Sequence, residues 1–343
     1  MKVGLVGYQG GGKSTVFQLL TGILPDPAKA HSGQISVATV PDDRFERLLE
    51  IYQPKKAVPT KIELFDTPGL SRSAQENNAH RLSVIRSANA LVQIIGLFGG
   101  SDPDADISAF MDDLLLADLQ VVNNRIERLK KDVTKPRPDR DDLQSELQAL
   151  GPIADRLSDG EPVGNMQLSE LQEQAAMSFS LLTRKPRLVV LNTSDSDFDP
   201  SIVERLEANG QRAVAAPAGL ELELQALPDE ERAEFAVEMG LKEPFRGRLL
   251  RKIFELTDQI TFYTCADKEV HAWLLRRGAT VLEAADTIHS DLARGFVRAE
   301  VWSADDLIRL GSERDLKAAG LQQLEGKDYI VRDGDEIFIR SGI

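Results

Sequence analysis

Gly7-Tyr8-Gln9-Gly10-Gly11-Gly12-Lys13-Ser14 is the stretch that decides the fold. Ahead of it, Val3-Gly4-Leu5-Val6 is a short apolar run suited to a buried strand. Behind it, Thr15-Val16-Phe17-Gln18-Leu19-Leu20 carries apolar residues at helical spacing. Strand, glycine-rich turn and helix are the context in which a G-x-x-x-x-G-K-S match reads as a P-loop, not as a turn that binds nothing. Gly7, Gly10, Gly11 and Gly12 let the backbone curl until N–H groups, those of Lys13, Ser14 and Thr15 included, point at one phosphate. The helix N-terminus adds its partial positive charge. Lys13 is the expected catalytic cation, reaching the β- and γ-phosphate oxygens. The Ser14 hydroxyl is an expected Mg²⁺ ligand, beside waters and nucleotide phosphates.

Further along, Lys61-Ile62-Glu63-Leu64-Phe65 reads as a strand running into Asp66-Thr67-Pro68-Gly69. D-x-x-G alone is a common turn. About 50 residues after a P-loop and directly after an apolar strand, Asp66 is placed to hold Mg²⁺, and Gly69 to offer its N–H to the γ-phosphate. A third strand, Arg187-Leu188-Val189-Val190-Leu191, ends in Asn192-Thr193-Ser194-Asp195. This N-x-x-D pattern fits base recognition: Asp195 can accept from the N1–H and the exocyclic amine of guanine, a donor pair that adenine lacks. An Asx turn after a strand is the other reading. A fourth strand, Ala213-Val214-Ala215, leads to Ala216-Pro217-Ala218, small residues that let the backbone approach a base. All these loops follow strands at their carboxyl ends, the ligand edge of an open parallel sheet. The expected fold is α/β, a P-loop NTPase with a doubly wound, mostly parallel sheet of right-handed βαβ units.

A chain of 343 residues and net charge −14 has room for two or three domains. Its acidity argues against a general electrostatic grip on nucleic acid, though not against a local basic patch. Cys265 is the single cysteine, so no internal disulfide forms and a Cys-rich zinc site is not expected. The longest apolar stretches, such as Ala90 to Phe98, are half of what spans a bilayer, and no signal-peptide pattern opens the chain. A soluble, cytoplasmic monomer without membrane contact is expected.

Ile107 to Lys131 has apolar or small residues at helical spacing (Phe110, Leu114, Leu115, Leu119, Val122, Ile126, Leu129), and Leu143, Leu147 and Leu150 continue a second helix. The joint Thr134-Lys135-Pro136-Arg137-Pro138 cannot be helical throughout. A projecting helical hairpin follows. Arg125 to Arg140 holds seven basic and three acidic residues. A ribosome or RNA contact and a merely solvated tip are both readings of that surplus. From Ile260 onward, short strands alternate with helix. Gly295 to Trp302 alternates as a strand and Val281 to Ile288 reads as a helix. Lys327 to Val331 and Glu336 to Ile339 flank the turn Asp333-Gly334-Asp335 as a hairpin. With 11 basic against 15 acidic residues, this part shows no electrostatic mark of an RNA binder. His271 and His289 read as structural or exposed. Expected domain boundaries are residues 1–106 with 184–259 (nucleotide domain), 107–183 (helical insertion) and 260–343.

In this order, the pieces resemble the YchF / Obg-like ATPase family of translation-factor-class P-loop NTPases. The opening Val-Gly-Leu-Val-Gly through Gly-Lys-Ser-Thr, Leu114 to Leu119, Leu182-Thr183-Arg184-Lys185-Pro186, Glu230 to Phe235 and Gly326 to Asp335 carry the likeness, which spans essentially the whole chain. The resemblance implies nucleotide hydrolysis, ribosome association and a C-terminal TGS domain of ubiquitin-like β-grasp fold. The departures are specific. The family's P-loop usually reads Gly-Leu-Pro-Asn-Val-Gly-Lys-Ser, so Gly10 stands in place of an asparagine. The switch I threonine aligns near Ala30, with Ser32 displaced from it. The switch II segment, Ser71 to Arg81, is short and lacks a glycine-rich run. The base motif ends in Asp195, where the family usually has Glu and ATP, and Thr193 replaces the lysine of N-K-x-D. Asn192, Thr193, Asp195, Ala216, Pro217 and Ala218 are the expected base contacts.

The favoured reading is a slow Mg²⁺-dependent NTPase switch, binding GTP/GDP in preference to ATP/ADP. Leu70 occupies the place of the water-positioning glutamine in some GTPases and is inert there. Intrinsic turnover should be on the order of 10⁻³ per second or below. His80 is a weak substitute candidate. The alternatives are a nucleotide-gated interaction module with vestigial hydrolysis, and an ATPase like the bulk of the family.

Overall fold

The computed structural model describes residues 1–343 except 74–77, 99–101, 194–197, 229, 233, 235–243 and 343. The chain divides into two compact units. One holds residues 1–37 and 63–249; the other holds 38–62 and 250–343.

The first unit carries the P-loop. Val3, Leu5 and Val6 of strand β1 (Lys2–Val6) are fully buried, and the strand stands inside a sheet of β2 (Gln34–Thr39), β4 (Lys61–Asp66), β5 (Ala90–Gly96), β6 (Arg187–Asn192) and β7 (Ala213–Ala216). The order is β2-β4-β1-β5-β6-β7, and the β1/β4, β1/β5, β5/β6 and β6/β7 pairs are parallel. Val3 sits opposite Leu64 on one side and Ala90 on the other. The chain leaves β1 for β2 and then β4 on one flank, then crosses to β5, β6 and β7 on the opposite flank. The P-loop therefore lies where the winding reverses, the crevice in which open α/β sheets bind ligands. The central strands β1, β5 and β6 are buried on both faces, so they read as continuous apolar runs, whereas β2 and β4 toward the edge alternate.

Helix α1 (Lys13–Thr21) follows the P-loop; α2 (Asp43–Tyr52) belongs to the second unit; α3 (Asn78–Ile85) follows the D-x-x-G turn. The insertion is α4 (Pro103–Asp132), α5 (Arg140–Ser158) and α6 (Glu170–Ser178). The predicted hairpin is present, and the prolines of its joint lie between α4 and α5. Leu115, Val122, Ile126 and Leu129 of α4 pack against Leu150, Ile153 and Leu157 of α5 and Ala175 and Ala176 of α6. Phe110 and Leu114, earlier on the same stripe, face Val6, Leu70, Leu82 and Ile85 instead. One amphipathic helix thus anchors in the nucleotide-domain core and supplies the hairpin core further out. The fully buried Asp118 of α4 accepts from Leu182 N (2.9 Å), Thr183 N (2.8 Å), Thr183 Oγ1 (2.9 Å) and Arg86 Nη1 (2.7 Å). Four donors satisfy the buried charge and fix where the chain re-enters the sheet.

Helices α7 (Ser201–Ala208) and α8 (Ala218–Gln225) complete this unit's βα pattern. The helix Phe245–Leu256 begins in this unit and brings Arg246 to the end of α1, where the guanidinium donates to Leu19 O (3.1 Å) and Leu20 O (2.9 Å). A cation on terminal helix carbonyls is the favourable sense of the helix dipole.

The second unit is a mixed sheet in the order β11-β10-β12-β8-β9-β3. Its strands are β3 (Ala57–Val58), β8 (Gln259–Cys265), β9 (Val270–Arg276), β10 (Phe296–Ser303), β11 (Gln323–Glu325) and β12 (Asp335–Ser341). The helix Val281–Ile288, opened by a Thr280/Glu283 capping box, packs Val281 and Ala284 onto Ile260, Phe262, Val301 and Ile337. The expected hairpin of residues 327–331 with 336–339 does not form. β12 pairs antiparallel with β10 and parallel with β8. Residues 329–331 are held by 279–281 instead, through Val281 N to Tyr329 O (2.8 Å) and Val331 N to Ala279 O (3.0 Å). The turn at 333–335 is local, but the pairing of the strand after it is set by the long-range sheet. Cys265 is partly buried among apolar neighbours, and burial pushes its thiol pKa up, which makes it inert. His271 stacks on Trp273 with centroids 3.6 Å apart, and His289 Nδ1 caps Asp291 N (3.1 Å).

Candidate nucleotide-binding site

The P-loop is built as a set of free donors. Among the described residues, the backbone N–H groups of Gly10, Gly11, Gly12, Lys13, Ser14 and Thr15 find no acceptor. Helix α1 starts with no side-chain cap and no acidic residue in its first turn. Six N–H groups and a helix N-terminus without a partner form an anion site. Gly12 has φ 89° and ψ 21°, and a Cβ there would stand 2.1 Å from Asn192 Nδ2. No other residue type fits. The Lys13 ammonium is buried and donates to Tyr8 O (2.8 Å). Desolvation lowers its pKa to about 8, with Asp66 opposing and Arg81 adding to the shift.

Asp66 closes the other side. Ser14 Oγ donates to Asp66 Oδ2 (2.8 Å), while Asp66 Oδ1 is buried without a partner. Burial raises the Asp66 pKa, and the Ser14 hydrogen bond and Lys13 charge pull it back. A hydroxyl, an orphaned carboxylate oxygen and free phosphate donors in one place are an oxygen-donor set suited to a hard divalent cation that keeps waters and phosphate oxygens. Gly69 packs directly on the P-loop: a Cβ there would lie 2.5 Å from Lys13 Nζ. Its N–H has no acceptor among the described residues.

Leu70 is fully buried in the apolar cluster with Val6, Leu82 and Ile85. Its backbone straps the D-x-x-G turn to the P-loop, through Leu70 N to Gly7 O (3.0 Å) and Gln9 N to Leu70 O (2.9 Å). Ser71 N is held by Asn78 Oδ1 (2.9 Å) at the start of α3, and His80 lies exposed on that helix. Ala30 and Ser32 are both exposed, in a turn closed by Gly33 N to Lys29 O (2.8 Å).

At the end of β6, the expected base side, buried Asn192 bridges Gly11 O (3.2 Å) and Ala218 N (3.3 Å), tying this strand to the P-loop and to α8. Thr193 N donates to Ala216 O (2.8 Å), and Pro217 precedes α8. Asp195 lies outside the described residues. The structure therefore brings Gly7, Gly10–Thr15, Asp66, Gly69, Asn192, Thr193 and Ala216–Ala218 to one sheet edge.

Sequence reasoning passed over four neighbours. Phe98 is half exposed and its ring lies 3.9 Å from a Cβ built on Gly12, an aromatic face at the mouth of the loop. Arg72 stands 4.6 Å over the Tyr8 ring and pairs with Asp106. Tyr8 OH donates to Asp113 (2.9 Å), so the P-loop is wired to α4. Arg81 has a buried Nη1 without a hydrogen bond, a cation near Lys13. No pattern in the sequence marks these contacts, because each depends on chain crossings.

Residues 2–132 match the family model of the 50S ribosome-binding GTPases, and residues 259–341 match the C-terminal model of the YchF GTPases, described only as a protein of unknown function. The chain is 32% identical to the ribosome-binding ATPase YchF of Bacillus subtilis over 100% of both chains. It is 31% identical to Obg-like ATPase 1 of Oryza sativa subsp. japonica, over 100% of this chain and 92% of that one. The chain belongs to the YchF family. The solved structure of the Schizosaccharomyces pombe YchF GTPase superposes with a TM-score of 0.83 over 99% of this chain and 97% of that one, at 24% identity. That likeness extends the shared YchF fold to nearly the full length. Among the described residues no helix is long and apolar enough to cross a membrane.

Proposed function

We propose that this YchF-family chain is a slow Mg²⁺-dependent purine-nucleotide hydrolase that acts as a ribosome-associated switch, releasing nucleoside diphosphate and phosphate. One observation carries the proposal: a cradle of N–H donors without acceptors, a buried lysine and an orphaned carboxylate oxygen converge at the sheet's switch point. The N–H groups of Gly10–Thr15, with Gly69, bind the phosphates. Lys13 neutralises charge that builds on them. Ser14 and Asp66 would hold Mg²⁺, which when bound supplies further positive charge to the phosphate oxygens. Asn192 positions the base loop, and Phe98 offers it a stacking face. Buried Leu70 leaves no side chain at its position to orient water, so unassisted turnover is slow.

We read the preference as GTP, through Asp195 and the guanine donor pair. Relatives named ATPases favour adenine as the second reading. Competition of GDP and ADP against a fluorescent nucleotide, with wild type and Asp195→Asn, separates them. Tighter GDP binding that Asp195→Asn abolishes supports the first; tighter ADP binding indifferent to Asp195 supports the second.

The names of the relatives also support a ribosome partner. Arg128, Lys130 and Lys131 near the hairpin tip are exposed and, among the described residues, have no ion-pair partner, whereas Arg125, Lys135 and Arg137 are paired. Arg128, Lys130 and Lys131 are the proposed RNA contact. The C-terminal unit is read as the TGS β-grasp domain of the family. Phosphate release by purified protein, with and without ribosomes, tests the enzyme reading. Multiple turnover in either condition supports it; none in both, with nucleotide bound, supports a gated module whose hydrolysis is vestigial.

A further inference from the structure

Hydrolysis on this cradle needs a polar group that holds the attacking water in line with the terminal phosphorus. Leu70 cannot provide it. Its side chain is in the core, and its backbone is pinned by both hydrogen bonds to the P-loop. The terminal phosphate belongs between Lys13 Nζ and the free N–H of Gly69. A Cβ built on Gly69 would lie 2.5 Å from Lys13 Nζ, 3.1 Å from Gln9 N and 3.2 Å from Gln9 Cα. Those distances place Gln9 at the same corner as the two phosphate donors.

Gln9 is suited to that corner in three ways. Its side chain is exposed and makes no hydrogen bond among the described residues. Its main chain is fixed, because Gln9 N donates to Leu70 O (2.9 Å). It opens onto a cavity of about 250 Å³ shared with Gly10, Gly11, Arg72 and Phe98, which has room for the amide and a water. The other polar side chains of this wall are engaged: Arg72 with the Tyr8 ring and Asp106, Tyr8 OH with Asp113, and Gln93 with Arg187. A carboxamide has both an acceptor for a water proton and a donor for a phosphoryl oxygen.

We propose that Gln9, on the P-loop itself, is the water-positioning residue of this chain, in place of the side chain that Leu70 withdraws into the core. The inference rests on the hydrolase reading above. In the step, the water oxygen forms the bond to the γ-phosphorus and the bond to the β,γ-bridging oxygen breaks. The diphosphate leaves, and the water proton passes to a phosphoryl oxygen. Gln9 takes no proton; it orients the water.

The test is single-turnover phosphate release with Mg²⁺ and GTP or ATP, beside the Kd of a non-hydrolysable triphosphate analogue. Wild type, Gln9→Ala, Gln9→Glu, His80→Ala and Lys13→Ala are compared. The expected result is a rate at least tenfold lower for Gln9→Ala with the analogue Kd within threefold of wild type. Gln9→Glu, which keeps the acceptor oxygen, should recover part of the rate, and His80→Ala should match wild type. Lys13→Ala should lose binding. A Gln9→Ala rate within threefold of wild type overturns the inference while leaving the hydrolase reading intact. So does a loss of analogue affinity equal to the loss of rate, which makes Gln9 a binding residue only. A wild type that binds nucleotide and releases no phosphate overturns the hydrolase reading, and the inference with it.

Discussion

Gly12→Ala tests the geometry of the cradle through a residue that makes no side-chain contact of its own. Two costs follow from the structure. Gly12 sits at φ 89°, in left-handed space, where an alanine costs about 1–2 kcal/mol. The new methyl would also stand 2.1 Å from Asn192 Nδ2. Asn192 is buried and held by Gly11 O and Ala218 N, so moving it breaks two hydrogen bonds worth about 1 kcal/mol each. The single variant should therefore lose roughly 3–4 kcal/mol, shared between thermal stability and nucleotide affinity. Asn192→Ala removes the obstacle, along with the two bonds. In that background, Gly12→Ala should cost only the backbone strain, about 1–2 kcal/mol. The assay is a double-mutant cycle on denaturant unfolding and on the Kd of a fluorescent nucleotide. The account expects the double variant to be less impaired than the sum of the singles by about 2 kcal/mol. Additive losses would mean that Gly12 and Asn192 do not share space, against the geometry described above.

Buried charge and the hairpin tip can be tested in the same way. Lys13 binds phosphate as its protonated form, and burial lowers its pKa to about 8, so nucleotide affinity should fall as pH rises through that value. The loss should approach tenfold per pH unit, and calorimetry at pH 8.5 in buffers of different ionisation enthalpy should report proton uptake on binding. The unliganded fold should respond oppositely: its lysine deprotonates earlier than the unfolded chain's, at 10.5, so stability rises from about pH 8 upward. In the second unit, Glu336 is buried, bonded by Tyr52 OH (2.7 Å), near Glu313 and Cys265, and its Oε2 has no partner. Burial raises its pKa to about 7 from 4.5, so the stability of the neutral form is present at low pH and lost between those values as pH rises. Glu336→Gln should raise the free energy of unfolding at pH 8 by on the order of 2 kcal/mol and leave it nearly unchanged at pH 5, as denaturant unfolding at the two pH values would show. Finally, Arg128→Glu with Lys130→Glu and Lys131→Glu should weaken ribosome co-sedimentation at least tenfold and flatten its salt dependence, with nucleotide Kd unchanged.

Local chemistry made much of this legible. β1, β6 and β7 could be read to within a residue because buried parallel strands are short apolar runs stopped by turn residues, and β4 because buried Ile62 and Leu64 alternate with exposed Lys61 and Glu63. The helix Val281–Ile288 was equally plain in the sequence, and the structure adds the Thr280/Glu283 capping box that starts it. What failed to read was long-range. The turn at 333–335 looked like a hairpin, but β12 finds its partners in β10 and β8. The grouping of residues 38–62 with the C-terminal strands depends on β3 pairing with β9 across the whole first unit's sequence. The inertness of Leu70 was visible as a residue type, whereas its strap to Gly7 and Gln9 was not. Gln9 itself gave no signal. An exposed glutamine in a loop is ordinary until Gly69 and Lys13 are seen beside it.

Whether the cradle holds a nucleotide is decided by calorimetric titration of Mg²⁺-GTP and Mg²⁺-ATP into the wild-type chain and into Lys13→Ala. One site per chain is expected for at least one purine triphosphate, dependent on Mg²⁺ and lost in Lys13→Ala while the fold survives. No heat with any purine nucleotide, or equal binding by Lys13→Ala, would contradict it.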